Sequence, residues 1–155
     1  MIKGQIEAIK KHADEYVIGV VTSRFNEVVT SKLREGALEE LNEVGVTYFD
    51  VSVPGAVEIP LAAQWLIESK KCDAVITLGA VIRGETSHFD YVCNSVERGC
   101  TELQLKFNIP VVFGVLTTEN GPQALARAGG AKGNKGKECA QVALEMLALS
   151  RELKR

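Results

Sequence analysis

Four predicted strands, separated by segments with helical spacing, are the feature that most constrains how this chain can fold. The run Tyr16–Val21 (YVIGVV) is apolar throughout, which is typical of a strand buried on both faces of a sheet. Further strands are predicted at Val46–Val53, Asp73–Val81 and Pro110–Leu116. Because strand and helix alternate along the chain, the predicted fold class is α/β: a three-layer sandwich with helices on both faces of a four-stranded parallel sheet.

The segments after these runs carry apolar residues at helical spacing and predict five helices. Asn26 is the predicted N-cap of the first helix, and a Ser-x-x-Asp start signal at Ser87–Asp90 precedes the third. The predicted ranges are Asn26 to about Val44, Glu58–Ser69, Phe89–Phe107, Asn120–Ala128 and Lys137–Leu149, followed by a solvated tail, Arg151–Arg155.

The first residues predict an additional strand. Apolar and polar residues alternate weakly over Ile2–Ile9, which we interpret as an edge strand. A strand without a partner in its own domain leaves backbone groups unpaired, so a neighbouring subunit is its expected partner. No internal repeat, linker or low-complexity segment interrupts the sequence, and residues 1–155 are therefore predicted to form one domain.

Length and composition limit the classes of function. The 155 residues are 46% hydrophobic and 25% charged, which suits one globular core. A net charge of −2 argues against a nucleic-acid platform, and no apolar segment reaches the roughly 20 residues that span a bilayer. The expected location is cytoplasmic, because residues 1–13 lack the apolar core of a signal peptide.

The four cysteines and two histidines do not have the spacing of a metal site. No two cysteines form a C-x-x-C pair, and neither histidine has a second ligand at a usual spacing. We therefore expect no metal, and reduced thiols that pack in the core, at Cys72, Cys93, Cys100 and Cys139.

The strongest functional signal is the stretch Gly79–Tyr91 (GAVIRGETSHFDY). It predicts a strand end, a glycine turn and the exposed amino end of a helix, where free N–H groups and the helix dipole attract phosphate. His88 lies in this stretch. Ligands of open parallel sheets bind beyond the carboxyl ends of the strands, so the residues that follow the other strands are expected to join it. These are Arg24–Asn26, Pro54–Glu58 and Thr117–Thr118, with Arg127 and Lys135 near the last two helices.

Each candidate also has an interpretation without function. His88 could be an ordinary exposed helix residue, and Phe25 could simply fill space in the core. Glu58 could be present only because a carboxylate interacts favourably with the helix dipole. The cations between Arg127 and Lys137 could form a solvated run, although the glycines around them would let the backbone close around an anion. The spacing within this run is not that of a Walker P-loop.

Five separated motifs resemble the lumazine synthase family of riboflavin biosynthesis, and they cover nearly the whole chain. Five motifs in the same order are far more specific than any one of them. They are SRFN (Ser23–Asn26), VPGAVEIP (Val53–Pro60), GAVIRGETSHFDYV (Gly79–Val92), FGVLTTEN (Phe113–Asn120), and RAG followed by GNKG (Arg127–Gly129, Gly133–Gly136).

The resemblance implies a flavodoxin-like sheet and a transferase that uses no metal or organic cofactor. The implied reaction condenses 5-amino-6-(D-ribitylamino)uracil with 3,4-dihydroxy-2-butanone 4-phosphate to 6,7-dimethyl-8-ribityllumazine, phosphate and water. The family's active sites lie between adjacent subunits of a pentamer, and many members assemble twelve pentamers into an icosahedral shell. Riboflavin synthase is a candidate partner.

The resemblance also implies a role for individual residues. Phe25 would stack on the pyrimidine ring, and His88 would move protons. The ribityl chain and ring edge would be held by Ala56, Val57 and Glu58, and the pyrimidine by the backbone of Ala80, Val81 and Ile82. The phosphate would be bound by Glu85, Thr86 and Arg127, and the pocket closed by Lys135 and by Phe113 of the neighbouring subunit.

Two positions depart from the family pattern: Glu85 stands where small residues are familiar, and Gly130 stands where a threonine is expected.

The competing interpretations are a flavodoxin-like module that binds a flavin or nucleotide without catalysis, a riboflavin synthase that acts on the lumazine, and a shell protein whose assembly matters more than its turnover.

Overall fold

The computed structural model describes residues 3–154, with the side chains of residues 4–154, and places a parallel sheet between two layers of helices. All neighbouring strands of this sheet run parallel, in the order β2-β1-β3-β4. The predicted fold class is confirmed, and each predicted strand is present within two residues of its expected ends. The strands are β1 (Val17–Ser23), β2 (Thr47–Val53), β3 (Ala74–Ile82) and β4 (Val111–Thr118).

Six helices and a short hairpin surround the sheet. The helices are α1 (Lys3–Lys11), α2 (Glu27–Val44), α3 (Ile59–Lys70), α4 (His88–Phe107), α5 (Gly121–Ala126) and α6 (Lys135–Leu153). The hairpin, which the sequence did not predict, pairs β5 (Ala128–Gly130) with β6 (Gly133–Asn134). Helix α6 includes most of the predicted solvated tail, of which Arg155 lies outside the described residues. In the described part of the chain, no helix is both long and apolar enough to cross a membrane.

The N-terminal edge strand predicted at Ile2–Ile9 is wrong for the residues that the structure describes, which exclude Ile2. From Lys3 onward this segment is helix α1, and it packs against α6 and α2. The reason is Ile9, which is only 1% exposed within the core. A helix brings Ile9 and Ile6 to one face, whereas a strand would direct them to opposite faces.

The central strands β1 and β3 are buried on both faces along most of their length, whereas the edge strand β2 is mostly exposed or half-buried. Ile18, Val20, Ile76 and Leu78 face α2 and α6, whereas Val21, Val75, Val111 and Val115 face α3 and α4. The central strands therefore end between the two layers of helices, next to the loops that carry the predicted site residues.

Helices α2 and α6 are in close contact at Gly136. A Cβ atom at this position would lie 1.9 Å from the carbonyl oxygen of Leu33 on α2. Asn134, just before α6, caps it by accepting a hydrogen bond from the Lys137 N–H at 3.1 Å and donates one to the Lys32 carbonyl at 3.0 Å. Asn134 thus fixes where α6 begins, and with it the position of Lys135.

Candidate active site

The carboxyl ends of β1 and β3, a 3-10 turn at Ala56–Glu58 and the start of α4 surround a cleft of about 360 Å³. The cleft gathers most of the residues predicted for the pyrimidine, the ribityl chain and proton transfer. They are Phe25, Ala56, Val57, Glu58, Ala80, Val81, Ile82, Thr86 and His88. Gly55, Gly84, Phe89 and Val92 also line it, without a role assigned from the sequence. Phe89 and Val92 lie three residues apart on α4, on the helix face that reaches the cleft.

Phe25 lies at the mouth of the cleft with 73% of its surface exposed, so the interpretation of Phe25 as a residue that fills the core is wrong. Its N–H donates to the Pro54 carbonyl at 3.1 Å, which continues the pairing of β1 with β2 beyond the strand ends. The next residue, Asn26, adopts a left-handed conformation (φ 64°) and forms no side-chain cap on α2. Its amide instead donates to the Ala80 carbonyl at 2.8 Å and so ties the end of β1 to β3.

Glu58 stabilises a turn and also lines the cleft. Its Oε1 accepts a hydrogen bond from the Gly55 N–H at 3.0 Å, which closes the turn that precedes α3. The side chain is exposed and lines the cleft beside Val57. The turn therefore presents a carboxylate and an apolar side chain at the same wall.

His88 is the first residue of α4, is exposed and lines the cleft. Ser87 occupies the predicted N-cap position, but its side chain makes no capping hydrogen bond. The His88 N–H donates instead to Thr86 Oγ1 at 3.3 Å. The amino end of this helix opens onto the cleft next to an imidazole, which is the arrangement that the sequence pattern indicated.

Arg127 and Lys135 line a second cavity of about 330 Å³ beside the edge strand β4. Arg127 donates from its guanidinium to the Gln123 carbonyl at 2.9 Å, and the Lys135 N–H donates to the Arg127 carbonyl at 2.8 Å. Lys132 adds a third cation and Glu138 one carboxylate. No residue lines both this cavity and the cleft.

Two of the residues whose roles the family resemblance implies line neither space. Glu85 is exposed in the loop between β3 and α4, and Phe113 is half-buried on β4 against the core beneath α3 and α4. Within one chain the structure therefore divides the predicted site: most of the candidate residues lie together at the cleft, and Arg127 and Lys135 line a separate cavity.

All four cysteines are unpaired, and three of them are buried as predicted. Burial raises the pKa of Cys100 and of Cys139 to about 11, and burial with the nearby Asp73 raises that of Cys72 to about 11. Cys93 is half-buried on α4. No cluster of three or more His, Cys, Asp or Glu side chains suited to a metal ion occurs within residues 4–154.

Comparison with known proteins relates this geometry to a family. The sequence profile of 6,7-dimethyl-8-ribityllumazine synthase matches residues 15–151. The chain belongs to this family. A 6,7-dimethyl-8-ribityllumazine synthase from Bdellovibrio bacteriovorus is 58% identical over 137 residues, which are 88% of this chain and 76% of the relative. The predicted family, the transferase class and the condensation reaction of riboflavin biosynthesis are confirmed for this lumazine synthase family member.

Proposed function

We propose that the protein condenses 5-amino-6-(D-ribitylamino)uracil with 3,4-dihydroxy-2-butanone 4-phosphate, forming 6,7-dimethyl-8-ribityllumazine, phosphate and water in the cleft. The observation that carries this proposal is the meeting of an exposed aromatic ring, an imidazole and a helix amino end around one space, in a chain of this family. A planar heterocycle, a proton-transfer step and a phosphate are what these three groups serve.

The pyrimidine is proposed to stack on Phe25, whose exposed ring has no covering side chain at the mouth of the cleft. Backbone groups of Ala80–Ile82 are the proposed partners of its polar edge. Asn26 already donates to the Ala80 carbonyl, and a carbonyl oxygen has a second lone pair for a substrate N–H. Val57 and Glu58 border the path proposed for the ribityl chain.

We propose that a second copy of the chain completes the cleft with its Arg127, Lys135 and Phe113. The support is that Arg127 and Lys135 of one chain line a separate cavity, whereas Thr86 and the amino end of α4 lie at the cleft. Glu85 is proposed to contribute its backbone N–H to the same phosphate.

An exposed apolar stripe beside the cleft also supports association of copies. Val57, Leu61 and Trp65 recur every four residues along the turn and α3, with 49%, 52% and 60% of their surfaces exposed. Contiguous exposed apolar surface of this kind marks interaction sites. A pentamer is the proposed ring, with an icosahedral shell of sixty subunits and a complex with riboflavin synthase as further proposals. Native mass spectrometry distinguishes these states.

The chemistry follows from the proposed positions. The primary amine adds to the ketone, and a first water leaves to give an imine. Elimination of phosphate leaves an enol that tautomerises to a ketone, and the second amine adds to this carbonyl. Loss of a second water completes the ring. Each step shifts protons near neutral pH, where histidine is the natural carrier, so His88 is the proposed acid and base. A guanidinium and a helix amino end favour departure of phosphate. Much of the rate is expected from holding two reactants together, because the amine is already nucleophilic.

The proposed location is the cytoplasm. Both substrates are polar, one of them is phosphorylated, and thiols stay reduced in this compartment. The unpaired cysteines of the described chain are compatible with a reducing compartment.

The test is an assay of the purified protein with both substrates, followed by the fluorescence of the lumazine and by release of phosphate. Lumazine and phosphate in equal amounts are expected. Binding of a flavin without turnover would favour the binding module instead, and consumption of added lumazine to give riboflavin would favour a riboflavin synthase.

A further inference from the structure

Arg83 occupies a position between the two loops that follow β3 and β4. It is the first residue after β3, and its N–H donates to the Thr118 carbonyl at 2.9 Å, next to the last registered pair of the two strands. The backbone of Arg83 is thereby fixed to the sheet. Its side chain is 38% exposed and turns toward the start of α4.

The guanidinium of Arg83 contacts three different groups. Its Nε donates to Glu119 Oε2 at 2.7 Å, and a terminal nitrogen lies 3.4 Å from Asp90 Oδ1. Its central carbon lies 4.3 Å from the centroid of the Phe89 ring. A planar fork that pairs at its edges and stacks on its face suits arginine and cannot be reproduced by lysine.

Two of these contacts are the residues that directly follow His88. Phe89 and His88 both line the cleft, and Asp90 belongs to the same helical turn. The loop Gly84–Ser87 that leads into this turn is exposed, and a Cβ at Gly84 would meet no atom within 4 Å. The packing of the loop itself therefore does little to hold the turn, and Arg83 joins it to the rigid ends of β3 and β4.

We propose that Arg83 is a positioning residue that fixes the first turn of α4 and, through it, the imidazole of His88 in the cleft. This proposal rests on the proposed function of His88 in proton transfer. Exposed ion pairs add little to global stability, so the contribution of Arg83 is the geometry of the site. A misplacement of about 1 Å can lower a rate by about 100-fold.

The primary test compares Arg83→Met with Arg83→Lys and with Arg151→Met. Arg151 pairs with Glu15 on the surface away from the cleft and is 41% exposed, so it is a matched control for the loss of one arginine ion pair. For Arg83→Met we expect a fall in kcat of about 10- to 100-fold, with both KM values changed less than about threefold. Arg83→Lys should recover only part of the rate. Full activity of Arg83→Lys, or a change in KM alone, would overturn the proposal.

A double variant tests whether Arg83 acts through His88. If it does, Arg83→Met combined with His88→Ala is no slower than His88→Ala alone, because the positioned group is already absent. Multiplicative losses would show that Arg83 acts on the substrate or on other groups, and a His88→Ala variant with wild-type rate would leave Arg83 nothing to position. Either result overturns the proposal.

Hydrogen exchange gives a readout that does not depend on activity. Arg83→Met should raise amide exchange by about tenfold or more in a peptide that spans residues 84–91, with α6 unchanged and a melting temperature near that of the wild type. Glu119→Gln, which keeps Arg83 but weakens its best hydrogen bond, should shift the same peptide in the same direction. Unchanged exchange in both variants would refute the proposal even if the two-substrate assay succeeds. Faster exchange in a protein without synthase activity would uphold the anchoring of the turn while the proposed function fails.

Discussion

His88 and His12 are the two histidines of the chain, and only His88 lines the cleft. We expect His88→Ala to lower turnover by about 10- to 1000-fold without abolishing it, because the positioned amine still reacts and only proton transfer is lost. Steady-state kinetics with both substrates measures the effect. His12→Ala is the matched control, since His12 pairs with Glu15 at a distant surface, and it should retain the wild-type rate. A His88→Ala rate equal to wild type would remove this residue from the mechanism.

Arg127 should have a different kinetic signature, because its proposed partner is the phosphate of the ground-state substrate. Arg127→Ala is expected to raise the KM for the phosphate substrate, by about tenfold or more for the loss of a charge-assisted pair, with a smaller change in kcat. Lys132→Ala removes an exposed cation from the same cavity and serves as the control. A lower kcat at unchanged KM would contradict the binding role.

The buried thiols make a prediction about pH. Since the pKa of Cys72, Cys100 and Cys139 is about 11 in the folded chain, the thiolate fraction at pH 8 is about a hundredfold below that of a free thiol of pKa 9.0. An aromatic disulfide reagent should therefore modify these three only after unfolding. Because the pKa of each of these thiols is raised on folding, their contribution to the stability of the folded state is fully present below about pH 9. It is lost as pH rises toward 11. Rapid labelling of all four thiols at pH 8 would contradict the buried arrangement.

At the scale of elements, Gly136 shows how one residue joins two helices. Gly136→Ala is expected to destabilise the protein by about 3 kcal/mol, because the added Cβ would lie 1.9 Å from a backbone oxygen of α2 that cannot rotate away. Gly121→Ala is the control, since a Cβ there meets nothing within 4 Å. Thermal melts at equal protein concentration compare the two, because oligomer stability depends on concentration. Equal melting temperatures would show that α2 and α6 do not pack this closely.

The four strands and the helices that follow them were predictable from the sequence, whereas the N-terminal helix and the hairpin were not. An unbroken apolar run such as that of β1 indicates a strand in a sheet that is covered on both faces. The N-terminal segment, by contrast, alternates weakly and also fits a helix, and the burial of Ile9 decides between them only in the folded chain. The start of α6 was placed two residues late because a glycine- and lysine-rich run reads as loop, whereas Asn134 caps the helix within it.

For the whole molecule, the motifs named the candidate site residues, but spacing and periodicity did not predict which of them one chain brings together. Phe25 and His88 follow parallel strands, whose ends meet at one edge, so their meeting in the cleft follows from topology. Arg127 and Lys135 follow helix α5 and the hairpin, and their placement depends on how these elements pack beside β4. Periodicity and spacing carry no information about that packing.

The division of the site between two copies makes a prediction that only co-assembly can test. If each site takes its cleft from one chain and Arg127 from the next, co-expression of His88→Ala with Arg127→Ala should regenerate intact sites, about a quarter of the total for random assembly in a closed ring. Activity is measured at a low concentration of the phosphate substrate, where neither parent variant turns over well. Co-assembly of Phe25→Ala with His88→Ala is the control: both changes lie in the same cleft, so no arrangement of copies restores a complete site. Failure of the first pair to exceed its parents, in mixed oligomers verified by native mass spectrometry, would mean that the cations and the cleft of a single chain do not serve neighbouring sites.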